Sequence, residues 1–194
     1  MDLLIATTNK GKLREITAIL EGLPVVLHTL DEFPEVEEPE ETGATFEANA
    51  RLKAVYYSQA TGMLTAADDS GLEIDALGGE PGVHSARWHG TDYDVKFRKI
   101  RERLDAQGLA TSAARFVCCV ALARDGRVLH ETRGTVEGRI ADTPAGTNGF
   151  GYDPIFFYPP LNLTLAQLDR GQKSAVSHRG QAFAALRRYL TAAQ

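Results

Sequence analysis

Two adjacent carboxylates, Asp68 and Asp69, lie in the motif ADDSG at the end of a short apolar segment. Carboxylates at the end of a strand suit the binding of Mg²⁺ and the activation of a water molecule. Because neighbouring residues of a strand point to opposite faces, we expect only one of the two aspartates to face a given site. The same motif is typical of an Asx turn that closes a strand, so a purely structural turn is an alternative.

A second candidate is the segment ATTNKGK, residues 6–12, between a short apolar strand and a predicted helix. Backbone N–H groups at the start of a helix bind anions, and Lys10 and Lys12 add positive charge. The segment differs from the P-loop pattern because Ala6 replaces its first glycine and Leu13 replaces its Ser or Thr. It therefore disfavours a P-loop kinase or ATPase, and leaves either another kind of phosphate-binding turn or an ordinary turn with surface lysines.

Charge is distributed unevenly along the chain. Seven acidic residues and no basic residue lie between Asp31 and Glu41, whereas the other 183 residues carry 19 acidic and 21 basic residues. No long basic stripe stands out, which argues against a nucleic-acid-binding face. We expect the first half of the acidic run to be a solvated loop. Its last residues, Glu40 and Glu41, precede a predicted helix on which Asn49 and Lys53 share one face, although such a pair more often faces water than a cleft.

Two later segments carry further donors and an aromatic ring. The loop TNGFGYDP places Phe150 between two glycines, and an aromatic ring in such a loop can stack on a purine. Taken by itself, the loop is explained more simply as a structural turn around a buried Phe. The segment KSAVSHRG, just before the predicted last helix, supplies Lys173, His178 and Arg179 as donors to a phosphate or a base carbonyl.

The elements that must position these residues alternate between strands and helices. Apolar spacing predicts helices from Lys10 to about residue 20, from Thr45 to Gly62, and over residues 95–104 and 180–192, with strands over residues 3–6, 25–27 and 65–69. Asp125-Gly126 between two apolar runs is the strongest hairpin signal of the chain, and a hairpin requires antiparallel pairing. The sequence thus predicts an α/β protein with a mixed sheet, and the lack of a repeat or linker predicts one domain over residues 1–194.

Composition excludes several classes of protein. Hydrophobic residues make up 43% and charged residues 24% of the chain, which excludes a disordered chain, a collagen-like fibre and a disulfide scaffold. The only cysteines, Cys118 and Cys119, are neighbours in a strand-like stretch, so they point to opposite faces and do not pair. Unpaired thiols, the lack of an apolar run of about 18 residues and the lack of a signal-peptide pattern predict a cytoplasmic protein without a membrane partner.

In their order along the chain, these motifs resemble the inosine triphosphate pyrophosphatase family, enzymes that remove noncanonical purine nucleoside triphosphates from the nucleotide pool. The similarity covers residues 5–183 and is carried by ATTNKGKLREI, EETGATFEANARLKA, ADDSGLEIDALGGEPGVHSARW, GFGYDPIF and KSAVSHRGQAF. Thr8 departs from the pattern, because many relatives have glycine there, and it makes the expected phosphate turn less open.

The resemblance implies an elongated, twisted mixed β-sheet with flanking helices that form two lobes around a central cleft, and it implies a homodimer. It also implies Mg²⁺-dependent hydrolysis of ITP, dITP or XTP to the monophosphate and pyrophosphate. Asp69 matches the base that activates water and also a metal ligand, while one acid of EETG, either Glu40 or Glu41, matches another metal ligand.

Other positions match substrate contacts of the family. The triphosphate-binding segment corresponds to Thr7, Thr8, Asn9, Lys10, Gly11 and Lys12, and the loop at the base and sugar corresponds to Phe150, Gly151, Tyr152 and Asp153. Lys173, His178 and Arg179 match donors that close over the base, and Lys53 and Ser70 match further substrate-contacting positions. A pocket of fixed donors would favour a 6-oxo purine over adenine by ~1–3 kcal/mol for each buried mismatch.

Two other functions are compatible with the same residues. One is a related pyrophosphatase with another base preference, such as modified pyrimidines. The other is a nucleotide-binding module without catalysis. Asp69 and the acidic run count against the module, because a protein that only binds a nucleotide does not require a carboxylate beside the phosphates.

Overall fold

Strands and helices alternate through the first half of the chain, as expected for an α/β protein. A computed structural model describes residues 1–192, and this range contains five α-helices and seven strands. The helices are α1 (Lys10–Leu20), α2 (Phe46–Thr61), α3 (Tyr93–Asp105), α4 (Arg170–Val176) and α5 (His178–Ala192). The strands are β1 (Asp2–Ile5), β2 (Val26–Thr29), β3 (Thr65–Ile74), β4 (Ala113–Arg124), β5 (Arg127–Ile140), β6 (Phe156–Tyr158) and β7 (Leu163–Thr164).

The seven strands form one mixed sheet in the order β2-β1-β3-β4-β5-β6-β7. Strand β1 pairs in parallel with β2 and β3, whereas β6 pairs antiparallel with β5 and β7. Asp125 and Gly126 join β4 to β5 and both have positive φ angles, 51° and 74°. Positive φ at both central residues is the geometry of a type I′ hairpin, which glycine adopts without strain. The predicted mixed sheet and the predicted hairpin are confirmed.

The chain divides into two compact units, each built from separate segments. The first unit contains Met1–Asp69, Cys118–Gly134 and the segment that begins at His178. The second unit contains Ser70–Val117 and Thr135–Ser177. A single domain over residues 1–194 stays a prediction, and the last two of those residues lie outside the described range.

The first unit has a core that is mostly aliphatic. Helices α1 and α5 pack together, and Ile16 and Leu20 of α1 are buried because they lie one turn apart on one helix face. The other members of this core are Leu3, Ile5, Leu64, Ala66, Cys118, Val120, Leu122, Ala182, Phe183, Leu186 and Leu190. Cys118 and Cys119 are free thiols, as predicted, and the structure shows that both are buried.

Helix α2 has the ends that the sequence predicts. The Thr45 hydroxyl accepts a hydrogen bond from the Ala48 N–H at 3.1 Å, which caps the first turn. Gly62 ends the helix in the left-handed conformation with φ of 69°. These local signals place Asn49 and Lys53 on the second and third turns.

The second unit has a core that is rich in aromatic rings. The Phe116 and Phe156 rings are 4.7 Å apart, and Tyr152 packs with Tyr93 and Phe97 of α3. Aromatic side chains bury a large area each, and edge-to-face pairs add a geometric preference to that burial. Tyr152, from the glycine-rich loop of residues 147–154, is itself a member of this core.

Two local predictions are wrong. Strand β3 does not end in a turn at ADDSG but continues through Asp69 to Ile74, because it lies inside the sheet with β1 and β4 as neighbours. Pairing on both edges outweighs the local turn preference of Asp, Ser and Gly. The segment that the sequence placed before the last helix is itself largely helical, since α4 contains Lys173 and the last helix, α5, already begins at His178.

In residues 1–192, no helix has the length and the apolar composition needed to cross a membrane.

Candidate active site

The two aspartates of β3 have different surroundings although they are neighbours. Both are buried, with 2% of Asp68 and 5% of Asp69 exposed. Asp68 contacts Lys12 and Arg179, whereas Asp69 contacts Asn49 and approaches Lys53. The alternation of side chains along a strand explains this division.

Asp68 is held by two cations from distant parts of the sequence. Its Oδ2 lies 3.1 Å from the Lys12 Nζ and 3.7 Å from an Arg179 guanidinium nitrogen. Burial by itself would raise the pKa of Asp68, but the positive charges of Lys12, Arg179 and Lys53 outweigh that effect and hold the pKa well below its usual value. Asp68 is therefore ionised throughout the neutral range and organises the cations around it.

The pKa of Asp69 is shifted in the opposite direction from that of Asp68. Its Oδ2 accepts a hydrogen bond from the Asn49 amide at 3.0 Å, and its Oδ1 lies 4.0 Å from the Lys53 Nζ. Burial raises the pKa of Asp69 above its usual value, and the opposing effects of Lys53, Lys12 and Asn49 do not cancel it. A carboxylate with a raised pKa binds a proton more readily, which is the property of a general base.

Asn49 and Lys53 do not face water, contrary to expectation. Asn49 is 0% and Lys53 is 8% exposed, and both side chains reach Asp69 from one face of α2. Their separation of four residues explains why both reach the same carboxylate. The packing of α2 against the sheet turns that face inward, and helical spacing alone cannot specify this.

The acidic run contributes one of its two candidate metal ligands. Glu41 Oε1 lies 2.5 Å from the Lys53 Nζ, the same ammonium that Asp69 approaches, whereas Glu40 is exposed. The carboxylates of Glu41 and Asp69 thus both approach the Lys53 ammonium. Their oxygens are the hard ligands that Mg²⁺ prefers, so this part of the first unit fits a divalent cation.

No group of three or more His, Cys, Asp or Glu side chains is arranged to hold a metal within residues 1–192. Mg²⁺ in nucleotide enzymes is commonly bound by one or two carboxylates together with substrate phosphates, rather than by a cage made only of protein ligands. The pair of Glu41 and Asp69 corresponds to that simpler arrangement.

The turn before α1 is organised by its own side chains. Asn9 Oδ1 accepts hydrogen bonds from the N–H groups of Gly11 (2.9 Å) and Lys12 (3.1 Å), and the Thr7 hydroxyl accepts one from the Asn9 N–H. Asn9 therefore caps two of the backbone amides at the start of α1, where the sequence allowed either an anion site or an ordinary turn. Thr8 and Lys10 are exposed at this turn.

A residue that the sequence analysis missed supports Arg179. Glu15 lies three residues after Lys12 on α1, and its Oε2 accepts a hydrogen bond from the Arg179 guanidinium at 2.7 Å. The guanidinium is thus shared between Glu15 and Asp68. The spacing from Lys12 to Glu15, which places both on one face of a helix, was the available signal.

The second unit has a separate cluster in the loop of residues 147–154. Asp153 Oδ2 accepts hydrogen bonds from the Phe150 N–H at 2.8 Å and from the Lys173 Nζ at 2.5 Å. The Lys173 ammonium also lies 5.0 Å from the centre of the Phe150 ring, within the range of a cation–π contact. Gly149 is required here, because its φ is +74° and a Cβ atom would lie 2.1 Å from Asp153 Oδ2.

Tyr152, not Phe150, is the buried aromatic residue of this loop. Tyr152 is 3% exposed and its hydroxyl donates to the Ser85 carbonyl at 2.9 Å, whereas the Phe150 ring is half-buried. The interpretation of the loop as a turn around a buried Phe is therefore wrong. The loop is anchored by Tyr152 and leaves the Phe150 ring partly accessible.

The predicted residues fall into two groups that follow the two units. The first unit brings together Lys12, Glu41, Lys53, Asp69 and Arg179, and also contains His178, which is buried at the start of α5. The second unit brings together Phe150, Asp153 and Lys173, with Gly151 and Tyr152 in the same loop, and contains Ser70 directly after Asp69. In the described part of the chain, the exposed Thr8, Lys10 and Glu40 form no hydrogen bond or ion pair with these clusters.

Comparisons with known proteins agree on one family. A sequence model of the Ham1 family matches residues 3–189. A dITP/XTP pyrophosphatase of Geobacter sulfurreducens is 46% identical over 190 residues, which cover 97% of this chain and 96% of that protein.

Solved structures give the same result. A HAM1 protein from Coxiella burnetii is 41% identical with a TM-score of 0.90, and the match covers 99% of each chain. The Ham1 protein of Staphylococcus aureus is 37% identical with a TM-score of 0.89, and the match covers 100% of each chain. The resemblance seen in the sequence motifs and the mixed α/β fold are both confirmed.

Proposed function

Because the chain belongs to the Ham1 family, we propose that it is a nucleoside-triphosphate pyrophosphatase that hydrolyses dITP, ITP and XTP. The products are the nucleoside monophosphate and pyrophosphate. This activity would remove noncanonical purine nucleotides from the nucleotide pool. The curated relatives named dITP/XTP pyrophosphatase support the substrate class.

The environment of Asp69 is the observation that carries the proposal. This carboxylate is buried, is oriented by Asn49 at 3.0 Å and has a raised pKa, while the pKa of its neighbour Asp68 is lowered. Pairs of carboxylates whose pKa values are driven apart are typical of sites that use one group as a proton acceptor. A binding module has no need of such a pair.

In the proposed reaction, Asp69 accepts a proton from a water molecule as the water oxygen bonds to phosphorus. The bond from the attacked phosphorus to the oxygen that bridges the α- and β-phosphates breaks, and that oxygen keeps the electron pair. The leaving group is pyrophosphate if the α-phosphorus is attacked and the monophosphate if the β-phosphorus is attacked. Lys12 and Lys53 stabilise the negative charge that develops on the phosphates, since both ammonium groups lie beside the aspartate pair. Thr7, Thr8, Asn9, Lys10 and Gly11 are proposed contacts of the triphosphate.

Glu41 and Asp69 are the residues that would hold Mg²⁺, and Glu40 is disfavoured because it is exposed. When bound, Mg²⁺ supplies charge neutralisation on the triphosphate. The Lys53 Nζ lies 2.5 Å from Glu41 Oε1 and 4.0 Å from Asp69 Oδ1. Lys53 therefore keeps these acids in place by balancing their charge.

The loop of the second unit is the proposed binding site of the base. The half-buried Phe150 ring offers a stacking surface, and Asp153 and Lys173 offer an acceptor and a donor. Stacking tolerates every purine, so selection of a 6-oxo base falls to the donors. Gly151, Tyr152, Ser70, His178 and Arg179 complete the proposed substrate contacts.

Assembly as a homodimer and a cytoplasmic location belong to the same proposal and rest on the family resemblance. The two buried free thiols are compatible with a reducing compartment. Light scattering during size-exclusion chromatography tests the dimer, because a single peak at the mass of one chain would exclude it.

The first experiment is the release of pyrophosphate in the presence of Mg²⁺ from ITP, XTP, dITP, ATP, GTP and dTTP. We expect fast release from the first three and little from the others. Equal rates on all six nucleotides would retain a pyrophosphatase but contradict the role in removing noncanonical purines. No release from any of them, with ITP still bound, would identify a nucleotide-binding module.

A second experiment identifies the phosphorus atom that water attacks. Hydrolysis of ITP in ¹⁸O-labelled water places the label in the monophosphate if the α-phosphorus is attacked, and in pyrophosphate if the β-phosphorus is attacked. Label in inorganic phosphate would contradict the pyrophosphatase reaction altogether.

A further inference from the structure

The second unit contains a buried lysine that has no part in the reaction proposed above. Lys96 lies on α3 and is 0% exposed. Its Nζ donates to the carbonyl oxygens of Ala86 at 2.8 Å and Ser85 at 3.1 Å. Among the described residues, its charge is balanced by no carboxylate within 4.0 Å, and its contacts are these carbonyls and two aromatic rings.

A buried ammonium without an acidic partner is costly, because it loses its hydration and gains no opposite charge. Burial accordingly lowers the pKa of Lys96. The Nζ lies 4.2 Å from the centre of the Tyr93 ring, and this cation–π contact offsets only part of the cost. Met or Leu would fill the same space, so packing does not explain why this buried position carries a charged side chain with hydrogen bonds.

The Ser85 carbonyl connects Lys96 to the loop of residues 147–154. This oxygen accepts a hydrogen bond from Lys96 at 3.1 Å and another from the Tyr152 hydroxyl at 2.9 Å. The Tyr152 ring also packs edge-to-face on Tyr93, with ring centres 5.2 Å apart. Lys96, Tyr93 and Ser85 thus fix both ends of the Tyr152 side chain.

Tyr152 directly precedes Asp153, which holds the Phe150 N–H and the Lys173 ammonium. Moving Tyr152 would displace that carboxylate and with it the half-buried Phe150 ring. The contacts therefore run from Lys96 through the Ser85 carbonyl and Tyr152 to the groups proposed to bind the base.

We propose that Lys96 is a positioning residue for nucleotide binding, which fixes the Ser85 carbonyl and Tyr152 and so holds residues 150–153 in the conformation that binds the base. This inference rests on the proposed function of that loop. Lys96 touches neither the substrate nor the reacting groups, so its loss weakens binding more than turnover.

The test compares Lys96→Met with Lys99→Met in the full-length chain. Lys99 lies one turn later on α3, with its side chain 43% exposed, and pairs with Glu102. For ITP, we expect Lys96→Met to raise KM about tenfold or more, as for the loss of hydrogen bonds from a charged donor, with kcat within about twofold. Lys99→Met should change neither constant. Lys96→Gln keeps an N–H donor, so its KM for ITP should lie between those of Lys96→Met and the wild-type protein.

Hydrogen exchange provides a readout that does not depend on activity. Backbone amides of residues 147–154 should exchange faster in Lys96→Met, while those of residues 118–123 in β4 stay unchanged. Faster exchange in both segments would show a general loss of stability and overturn the proposal. An unchanged KM with unchanged exchange, or a fall in kcat alone, would overturn it as well.

If Lys96→Met does not fold, Lys96→Gln and Tyr152→Phe carry the same comparison. Tyr152→Phe removes only the hydroxyl that shares the Ser85 carbonyl, so it should raise KM and the exchange of residues 147–154 in the same direction. If the wild-type protein does not hydrolyse ITP, the proposed function fails, whereas the exchange comparison still tests whether Lys96 fixes the conformation of residues 147–154.

Discussion

The two units use buried carboxylates and lysines in different ways. In the first unit, three cations (Lys12, Lys53, Arg179) contact four acids (Glu15, Glu41, Asp68, Asp69) in a shared network. In the second unit, Asp153 and Lys173 form a close pair beside aromatic rings. In a shared network, each charged group shifts the pKa of its neighbours. A single ion pair that packs on an aromatic ring instead fixes the conformation of the residues that carry it.

The protonation of each cluster reflects this difference. In the first unit, the pKa of Asp69 is raised and that of Asp68 is lowered, so the cluster keeps one acid ready to accept a proton. In the second unit, burial raises the pKa values of Tyr93 and Tyr152, which keeps both hydroxyls neutral. The first cluster is therefore suited to chemistry and the second to recognition. Substitutions in each cluster can test that distinction.

The largest effect is expected for Asp69→Asn, which removes the proposed proton acceptor. The kcat for ITP should fall by about 10²–10⁴, the usual contribution of a general base. The melting temperature should stay equal or rise, because a raised pKa means that the folded state disfavours the charged form. Steady-state kinetics and calorimetry measure the two quantities.

The matched control is Asp31→Asn, an exposed aspartate of the acidic run. It should change neither kcat nor the melting temperature. If Asp69→Asn kept full turnover, the first cluster would have no role in the chemistry. The division between a cluster for chemistry and a cluster for recognition would then be wrong.

The neighbouring Asp68→Asn should reduce stability instead. It removes the buried acid that Lys12 and Arg179 share, and losing one partner of such a group costs about 3 kcal/mol or more in the free energy of unfolding. Urea unfolding at pH 7 with a metal chelator measures this loss. An unchanged unfolding midpoint would mean that the cations find other partners, Glu15 for Arg179 and water for Lys12.

The same variant predicts a pH dependence with a defined sign. Because the pKa of Asp68 is lower in the folded than in the unfolded state, its ionised form stabilises the fold above the unfolded pKa of about 4. The difference in the free energy of unfolding between the wild-type protein and Asp68→Asn should therefore be largest at neutral pH and should shrink as the pH falls below about 4. A difference that grows on acidification would contradict the lowered pKa.

In the second cluster, Phe150→Ala should affect binding more than turnover. Base stacking on an aromatic ring contributes about 1–3 kcal/mol, so KM for ITP should rise about tenfold while kcat changes little. Phe150→Tyr keeps the ring and should retain the KM. A fall in kcat comparable to that of Asp69→Asn would show that the two clusters are not divided between chemistry and recognition.

The smallest effect is expected for Glu40→Gln. Glu40 is exposed, so its replacement should change kcat, KM and the Mg²⁺ concentration for half-maximal activity by less than about twofold. Glu41→Gln is the paired variant and should raise that Mg²⁺ concentration, because Glu41 contacts Lys53 beside Asp69. The opposite ranking in a Mg²⁺ titration would assign the metal to Glu40.

Local signals predicted much of the fold. Thr45 and Gly62 bound α2 as expected, and Asp125-Gly126 forms the expected hairpin, because capping and positive φ depend on a few adjacent residues. The interpretation of ADDSG as a turn was wrong for the opposite reason, since the neighbours of β3 in the sheet come from other parts of the chain. Glu15 and Lys96 were missed because their partners are distant in sequence or are backbone carbonyls.

The sequence by itself determined the family, the mixed α/β class and the residue types that can hold a triphosphate and a metal, since these follow from ordered motifs and local periodicity. The resemblance matched Asp69 to the base, but only the tertiary structure showed why the two neighbouring aspartates differ. Asp68 lies against Lys12 and Arg179 and has a lowered pKa, whereas burial raises the pKa of Asp69. Their pKa values depend on burial and on charges that α1, α2 and α5 bring to β3. Electrostatic interactions act through distance in space, and the order of residues along a chain does not specify that distance.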